Sequence, residues 1–131
     1  MGVKRSRTAV VKKLDEWFSK YVRLSNSVDG QCICYTCGTK KPWNKGIQAG
    51  HFQSRGKYST RWDEDNVRPQ CVGCNMFKQG QQWEFGRKLN LERPGLADEL
   101  VERGHTLRKF STAELEEMET YYREQVKRLL E

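Results

Sequence analysis

Residues 66–78 read NVRPQCVGCNMFK and contain the second of two Cys-x-x-Cys pairs in the chain. The first pair is Cys34/Cys37 and the second is Cys71/Cys74. Four thiolates in two such pairs can surround a zinc ion tetrahedrally, each about 2.3 Å from the metal. The alternative is two disulfides, but we recognise no signal peptide and expect the reduced thiols of a cytosolic protein. The spacing therefore predicts a structural zinc site.

Cys32 brings the number of cysteines to five. It could compete with Cys34 as a ligand, but Gly38 directly follows the Cys34/Cys37 pair and suits the tight turn of a zinc knuckle. We therefore predict that Cys32 is a strand residue. Residues 38–70 separate the two pairs, which is more than the about 15–20 residues of common zinc sites. A sizeable insert must lie between the pairs.

The composition of the chain indicates a basic, moderately hydrophobic protein of 131 residues, with a formal net charge of +7 and 36% hydrophobic residues. We therefore expect a bound metal to supply part of the stability that a small core does not. The positive charge favours a polyanion partner, most simply nucleic acid, and Lys4, Arg5 and Arg7 in residues 1–7 are expected to form a frayed basic tail. No apolar run approaches the about 20 residues of a membrane span, so we expect no membrane partner and a cytoplasmic location.

Apolar periodicity predicts helices at both ends of one domain over residues 1–131. Residues 8–24 place apolar side chains at three- and four-residue intervals, which indicates an N-terminal amphipathic helix. Residues 96–131 are predicted to form C-terminal helices, and Ser111 with Glu114 form a capping box at the start of the last one. The apolar stripe of this last helix is long enough to pair with a second copy, which makes a homodimer a further expectation.

Residues 32–90 are predicted to form a zinc-bound core between these helices. Short strands are expected over residues 32–53, followed by a long irregular loop over residues 54–65. Such a loop in a compact domain is usually functional. A helix is expected over residues 75–89, although its two glycines weaken it.

The order of Asn66, the second cysteine pair, Asn75 and Lys78 resembles the zinc-bearing HNH nuclease motif. In that motif an asparagine lies five residues before a Cys-x-x-Cys pair, histidine or asparagine directly follows the second cysteine, and a lysine comes three residues later. His51, preceded by Gly50, fits the first position of the motif. The resemblance implies an α+β fold with a zinc-stabilised ββα-metal (HNH-type) core flanked by N-terminal and C-terminal helices. It also implies a catalytic triad of His51, Asn66 and Asn75.

The residue types of this triad suit phosphodiester hydrolysis. His51 is expected to be the general base, because imidazole titrates near neutral pH. Magnesium or manganese prefers oxygen ligands, and the amide oxygen of Asn75 provides one. Gln79, one turn later on the same predicted helical face, is a second candidate ligand. Asn66 is expected to orient the hairpin or His51 by hydrogen bonding.

Gly50 departs from the pattern of many HNH nucleases, in which Asp, Glu or His directly precedes the base and supplies a second metal ligand. The source of the missing ligand stays open from the sequence. The candidates are Gln48, Gln79, the loop acids Asp63, Glu64 and Asp65, water, or the DNA itself.

Further segments are similar to the phage lambda NinG (Rap) recombination family. They are AGHFQSRG at residues 49–56, CNMFKQG at 74–80, FSKYVRL at 18–24 and RKF at 108–110. The similarity spans nearly the whole chain and departs at Gln48, where an acid is expected. It implies a phage-encoded protein of the bacterial host cytoplasm that cuts branched recombination intermediates, such as Holliday junctions and D-loops, with magnesium or manganese. Whether a recombinase or a single-strand-binding protein is a partner stays open.

Cationic side chains near the motifs are predicted to hold DNA phosphates, which positions the backbone without reading bases. They are Arg55, Lys57, Arg61, Arg68 and Lys78.

Two other functions compete with the endonuclease. One is a zinc-stabilised, non-catalytic DNA-binding module, which Gly50 and Gln48 motivate. The other is a zinc-organised protein adaptor that uses its terminal helices as docking surfaces.

Overall fold

Two long helices, one near each end of the chain, pack against each other. In the computed structural model, which describes residues 4–131, α1 spans Arg7–Ser25 and the last helix, α5, spans Thr112–Leu130. The Ser6 hydroxyl oxygen caps α1 by accepting from the Ala9 amide at 3.1 Å. Both hydrogen bonds of the predicted Ser111–Glu114 capping box are present. The long helices at both ends, expected from periodicity, are therefore confirmed.

The apolar stripes of these two helices form the largest core of the described residues. Its buried members are Val10, Leu14, Phe18, Val22, Trp62, Val67, Leu115 and Tyr122. The rings of Phe18 and Tyr122 meet edge to face, with centroids 4.9 Å apart, an arrangement that aromatic pairs favour. Helix α1 thus covers only part of the α5 stripe that we expected to pair with a second copy, since Tyr121, Leu129 and Leu130 stay 50%, 45% and 59% exposed.

Residues 1–3 of the predicted basic tail lie outside the described residues. The rest of the tail is not frayed, because Arg7 begins α1 and Arg5 forms a 2.9 Å ion pair with Glu119 of α5. Among the described residues, no helix combines the length and the apolar character that crossing a membrane requires.

The strands form two antiparallel sheets between the helices. Three short strands, β1 Ser27–Val28, β2 Gln31–Ile33 and β3 Lys40–Pro42, pair in the order β1-β2-β3. A second pair consists of β4 Ile47–His51 and β5 Val67–Cys71, with Ile47 opposite Cys71 and His51 opposite Val67. The chain is therefore of mixed α+β class, as predicted.

The segment between β4 and β5 is more ordered than its aperiodic sequence suggests. Residues 54–65 were expected to be irregular, but they contain the short helix α2, Tyr58–Arg61, and the start of a 3-10 turn at Glu64–Asn66. Local periodicity cannot reveal so short a helix, because contacts with α1 hold it in place.

The helix expected over residues 75–89 is wrong in its first half. A π-helical turn at Gly73–Phe77 is followed by a 3-10 turn at Gln79–Gln81, and only then by α3, Gln82–Glu92. The φ angles of Gln79, Gly80 and Gln81 are +51°, +80° and +50°, so an α-helix cannot continue through them. Helix α4, Leu96–His105, then packs on α3 around Phe85, Leu89, Leu96 and Leu100.

Candidate metal centre and active-site cleft

Four cysteine side chains converge beside one end of the β4–β5 pair. Cys34 and Cys37 lie between β2 and β3, Cys71 ends β5, and Cys74 lies in the π-helical turn. Their Sγ atoms all lie within 4.8 Å of one another, and those of Cys37 and Cys71 are 3.7 Å apart. A tetrahedral zinc with bonds of about 2.3 Å separates its sulfurs by about 3.8 Å. The cysteines are thus positioned to hold a metal ion, and the donor set suits structural zinc.

The surroundings of Cys34 favour its thiolate form. Burial raises the pKa of this thiol, but hydrogen bonds with the main chain of Cys71 and with the side chain of Thr36 outweigh burial and bring the pKa to about 6. A thiolate is the form that binds metal. Cys32 is excluded from the cluster: it is fully buried in β2, and its Sγ lies 3.7 Å from the Arg23 carbonyl oxygen. The prediction that Cys32 is a strand residue is confirmed.

His51 ends β4 and presents one ring nitrogen for proton transfer. Its Nε2 lies 2.9 Å from the carbonyl oxygen of Arg61. A carbonyl only accepts hydrogen bonds, so this network assigns the proton to Nε2 and leaves the lone pair on Nδ1. Burial lowers the pKa of His51 from its ordinary value of 6.5. The imidazole is therefore neutral, and Nδ1 is able to accept a proton at neutral pH.

Asp15 of α1 holds the segment that contacts His51. Its Oδ1 and Oδ2 accept from Arg61 Nε at 3.1 Å and Nη2 at 2.6 Å, and Oδ1 also accepts from Trp62 Nε1 at 2.9 Å. This two-pronged ion pair fixes α2, whose last residue supplies the carbonyl that bonds His51. The sequence analysis missed Asp15, because an acid beside Glu16 on a mostly basic helix carries no specific signal.

Asn75 faces His51 across an open cleft. A cavity of about 350 Å³ is lined by Gln48, His51, Asn75 and Met76 together with Asp15 and Arg55. The Asn75 Nδ2 donates to Gln48 Oε1 at 2.8 Å, which orients the amide and leaves its Oδ1 as an acceptor. Gln79 lines an adjoining cavity of about 280 Å³ that shares His51, Asn75 and Arg55. The structure thus brings Gln79 near Asn75, although not on a shared α-helix.

Asn66 is a positioning residue and does not reach the cleft. It is fully buried, and its Oδ1 accepts from the Gln53 amide at 2.7 Å. Its Nδ2 donates to the carbonyl oxygens of Gln53 and Thr60, both at 3.0 Å. These hydrogen bonds connect Gln53 and Thr60, at the start and in the middle of the β4–β5 connection, with Asn66 at its end. They support the expectation that Asn66 orients the hairpin.

The side chain of Gln70, on the neighbouring strand β5, fills the space that a side chain at Gly50 would need. A Cβ at Gly50 would lie 1.9 Å from Gln70 Oε1, so no acid fits before His51 while Gln70 occupies this place. The Gln70 Nε2 donates to Thr36 Oγ1 at 3.1 Å and to the Gly80 carbonyl at 2.8 Å. Thr36 in turn contacts Cys34 Sγ at 3.5 Å. Gln70 therefore links the cysteine cluster to the turn after Asn75.

The loop acids do not supply the missing ligand of the cleft. Asp63 and Asp65 form ion pairs with Arg103 at 2.8 and 2.9 Å, and Glu64 accepts from the hydroxyls of Tyr21 and Tyr122. None of the three lines the cavities beside His51. Of the protein ligands considered from the sequence, Gln48 and Gln79 remain.

The predicted phosphate-binding cations fall into two groups. Arg61 is held by Asp15, and Arg68 is held by Glu92 at 3.2 Å, with side chains only 11% and 14% exposed. Both therefore stabilise the fold. Arg55 is 62% exposed and lines the cleft. Lys57 is half-buried and donates to Gln53 Oε1 at 3.1 Å, and Lys78 is exposed.

Comparison with known proteins places the chain among phage proteins. Residues 2–131 match the family model described as Bacteriophage Lambda NinG protein. The protein ninG of Salmonella phage P22 is 28% identical over 95% of this chain and 60% of its own length. The ninG proteins of Escherichia phage 933W and Enterobacteria phage VT2-Sa are each 26% identical over the same shares. The chain thus spans about 60% of the length of these relatives. No solved structure matches it.

Proposed function

We propose that this chain, which belongs to the bacteriophage lambda NinG family, is a metal-dependent DNA endonuclease. Its substrates are phosphodiesters in branched recombination intermediates, such as Holliday junctions and D-loops. The observation that carries the proposal is the neutral imidazole of His51, which lines an open cleft together with Asn75 and contacts the Arg61 carbonyl through Nε2. Family membership, which links the chain to phage recombination, supports the substrate class.

His51 acts as the general base on the attacking water. Nδ1 accepts the water proton, and the Arg61 carbonyl, 2.9 Å from Nε2, stabilises the imidazolium that forms. General-base catalysis of this kind contributes about 10²–10⁴-fold to the rate. Asp15 acts through Arg61: by fixing α2, it keeps the Arg61 carbonyl in contact with Nε2 and so holds the orientation of the imidazole.

The residues of the cleft fit a hard divalent cation. Asn75 Oδ1 and the Gln79 side chain offer amide oxygens in a cleft open to water, which suits magnesium or manganese. Such an ion, when bound, polarises the phosphoryl oxygen and stabilises the leaving oxygen. Because both amides are neutral, we expect weak binding of the ion without DNA and tighter binding when a phosphate adds its charge. Gln48 orients Asn75 and is not assigned as a ligand.

Arg55 holds the DNA backbone beside the cleft, and Lys57 and Lys78 extend this basic surface. These side chains contact phosphates and position the scissile bond without reading sequence. The host cytoplasm is the proposed location. A second copy of this chain and a recombinase or a single-strand-binding protein are proposed partners.

A non-catalytic DNA-binding module is the second candidate function. The observation that favours it is the blocked position at Gly50, where Gln70 leaves no room for an acidic metal ligand. Under this alternative the cleft binds a phosphate but does not hydrolyse it.

Cleavage of a labelled four-way junction, beside a linear duplex of the same sequence, separates the two functions. It is measured with magnesium, manganese or EDTA for the wild type and for His51→Ala. We expect metal-dependent cleavage of the junction that falls about 10²–10⁴-fold in the variant, while binding in EDTA is retained. Salt-sensitive binding without cleavage by the wild type would favour the non-catalytic module, and equal cleavage of both DNAs would remove the branch specificity.

A further inference from the structure

The segment that follows Asn75 carries two exposed aromatic side chains close in sequence to residues that line the cleft. Phe77, the last residue of the π-helical turn, is 79% exposed, and Trp83, near the start of α3, is 80% exposed. Phe77 comes two residues after Asn75. Trp83 directly follows Gln82, which lines a cavity shared with His51.

Folding does not account for the exposure of these two rings. Helix α3 buries Phe85 and Leu89 against α4, and Trp83 lies on the opposite side of the helix. Neither Phe77 nor Trp83 belongs to a buried apolar cluster of the described residues. Both rings are therefore available to a partner that offers an apolar face.

The backbone between the two rings is strained and anchored from both sides. Gln79 and Gln81 adopt left-handed φ angles of +51° and +50°, which non-glycine residues rarely adopt. The Gly80 carbonyl accepts from Gln70 at 2.8 Å, and Gln82 Nε2 lies 3.5 Å from the His51 carbonyl oxygen. Strain of this kind persists when the surroundings over-determine it, typically at binding sites. These contacts thus fix the backbone that connects Phe77 to Trp83.

We propose that Phe77 and Trp83 form a stacking surface for unpaired nucleobases next to the scissile phosphate; the proposal rests on the endonuclease function above. Aromatic rings stack on any base, because every base has a π face. Lys78, which directly follows Phe77 in sequence, supplies an exposed cation for the adjoining phosphate. A linear duplex keeps its bases paired and stacked, whereas a branch point or a single-stranded arm exposes them. The surface therefore selects branched over linear DNA.

Binding of a splayed-arm DNA tests the stacking surface without cleavage. The DNA carries 2-aminopurine at the boundary of its duplex and single-stranded arms, and binding is measured in EDTA beside a linear duplex. We expect Phe77→Ala and Trp83→Ala each to weaken binding of the splayed-arm DNA about tenfold and to reduce the quenching of 2-aminopurine. Binding of the linear duplex stays unchanged. Trp83→Phe retains most of the affinity, because an aromatic face remains.

Leu91→Ala is the matched control. Leu91 is also exposed, at 70%, and lies on α3 eight residues after Trp83, about 12 Å along the helix. Its substitution is expected to leave binding of both DNAs unchanged. All of these side chains are exposed, so each variant should unfold at the wild-type temperature.

The outcomes separate this proposal from the endonuclease itself. An unchanged affinity of Trp83→Ala and Phe77→Ala for splayed-arm DNA, or an equal loss on both DNAs, overturns the stacking surface even if the wild type cleaves. If the wild type quenches 2-aminopurine in the splayed-arm DNA but cleaves no DNA, only the endonuclease proposal is overturned. Failure of the wild type to bind either DNA overturns both.

Discussion

The cysteine cluster and the His51–Asn75 cleft lie side by side but are assembled in different ways. The cluster is built from two short pairs, and the two cysteines of each pair are only three positions apart in the chain. The cleft combines α1, β4, α2 and the π-helical turn, and its Asp15–Arg61 ion pair joins residues 46 positions apart. A site of the first kind can be read from spacing, whereas a site of the second kind exists only once the chain has folded.

Gln70 is the physical connection between the two regions. It reaches Thr36 beside the cysteines and the Gly80 carbonyl beside the cleft. The cysteine cluster is therefore connected to the proposed catalytic cleft through the hydrogen bonds of Gln70. We expect perturbations of the cluster to affect both regions, and perturbations of the cleft to leave the cluster intact.

Removal of the metal site is expected to have the largest effect. In Cys74→Ser, one thiolate of four is lost, and structural zinc contributes about 10–16 kcal/mol of binding free energy in zinc-finger peptides. We expect loss of bound zinc and of cooperative unfolding, measured by elemental analysis and by thermal circular dichroism. The matched control is Cys32→Ser, a buried cysteine outside the cluster, which should keep its zinc. Full zinc content and an unchanged melt for Cys74→Ser would contradict the assignment.

Filling the space at Gly50 is expected to have the next largest effect. In Gly50→Ala the new methyl group meets Gln70 Oε1, and overpacking of this kind costs about 1–3 kcal/mol of unfolding free energy. Gln70→Ala makes room for the methyl group but breaks the bonds to Thr36 and Gly80. The double variant should therefore be more stable than the sum of the two single effects predicts. Denaturant unfolding of all four proteins measures this coupling, and simple additivity would show that the two side chains do not meet.

Asp15→Asn is expected to act mainly on the cleft, and its effect on the cysteine cluster should be the smallest of the three. The ion pair with Arg61 weakens, at a cost of about 1–3 kcal/mol. The negative charge of Asp15 raises the pKa of His51, against the larger lowering by burial, so its removal lowers that pKa further. Since the base acts when neutral, the acidic limb of the pH–rate profile should shift to lower pH, and the rate should fall as α2 loosens. Zinc content serves as the control and should not change.

The same burial of His51 links stability to pH. Because the folded-state pKa is lowered, the unfolded chain binds the proton more readily. The contribution of neutral His51 is therefore present above the ordinary pKa of about 6.5 and is lost as the pH falls below it. If the acidic limb of the wild-type pH–rate profile is centred above pH 6.5, the general base is not a buried histidine.

Several elements of the chain could be predicted because their signals are local. Periodicity revealed α1 and α5, the Ser111–Glu114 pair revealed a cap, and Gly38 distinguished Cys34 from Cys32. The prediction of a helix from residue 75 was wrong, because Gln79 and Gln81 adopt left-handed backbone conformations. Glutamine is not a residue type from which such a conformation can be predicted. Contacts of the Gly80 carbonyl with Gln70 and of Gln82 with the His51 carbonyl hold that turn, and both partners lie elsewhere in the chain.

By itself the sequence determined the terminal helices and the two cysteine pairs, because periodicity and short-range spacing encode them. Its resemblance to the HNH motif implied the α+β class and the candidate site residues His51 and Asn75. Only the tertiary structure decided that Nδ1 of His51 is free, that Arg61 and Arg68 are held in internal ion pairs, and that Gln70 occupies the space beside Gly50. These outcomes depend on side chains from distant segments competing for the same neighbours. The spacing of residues along the chain does not show which distant side chains will come into contact.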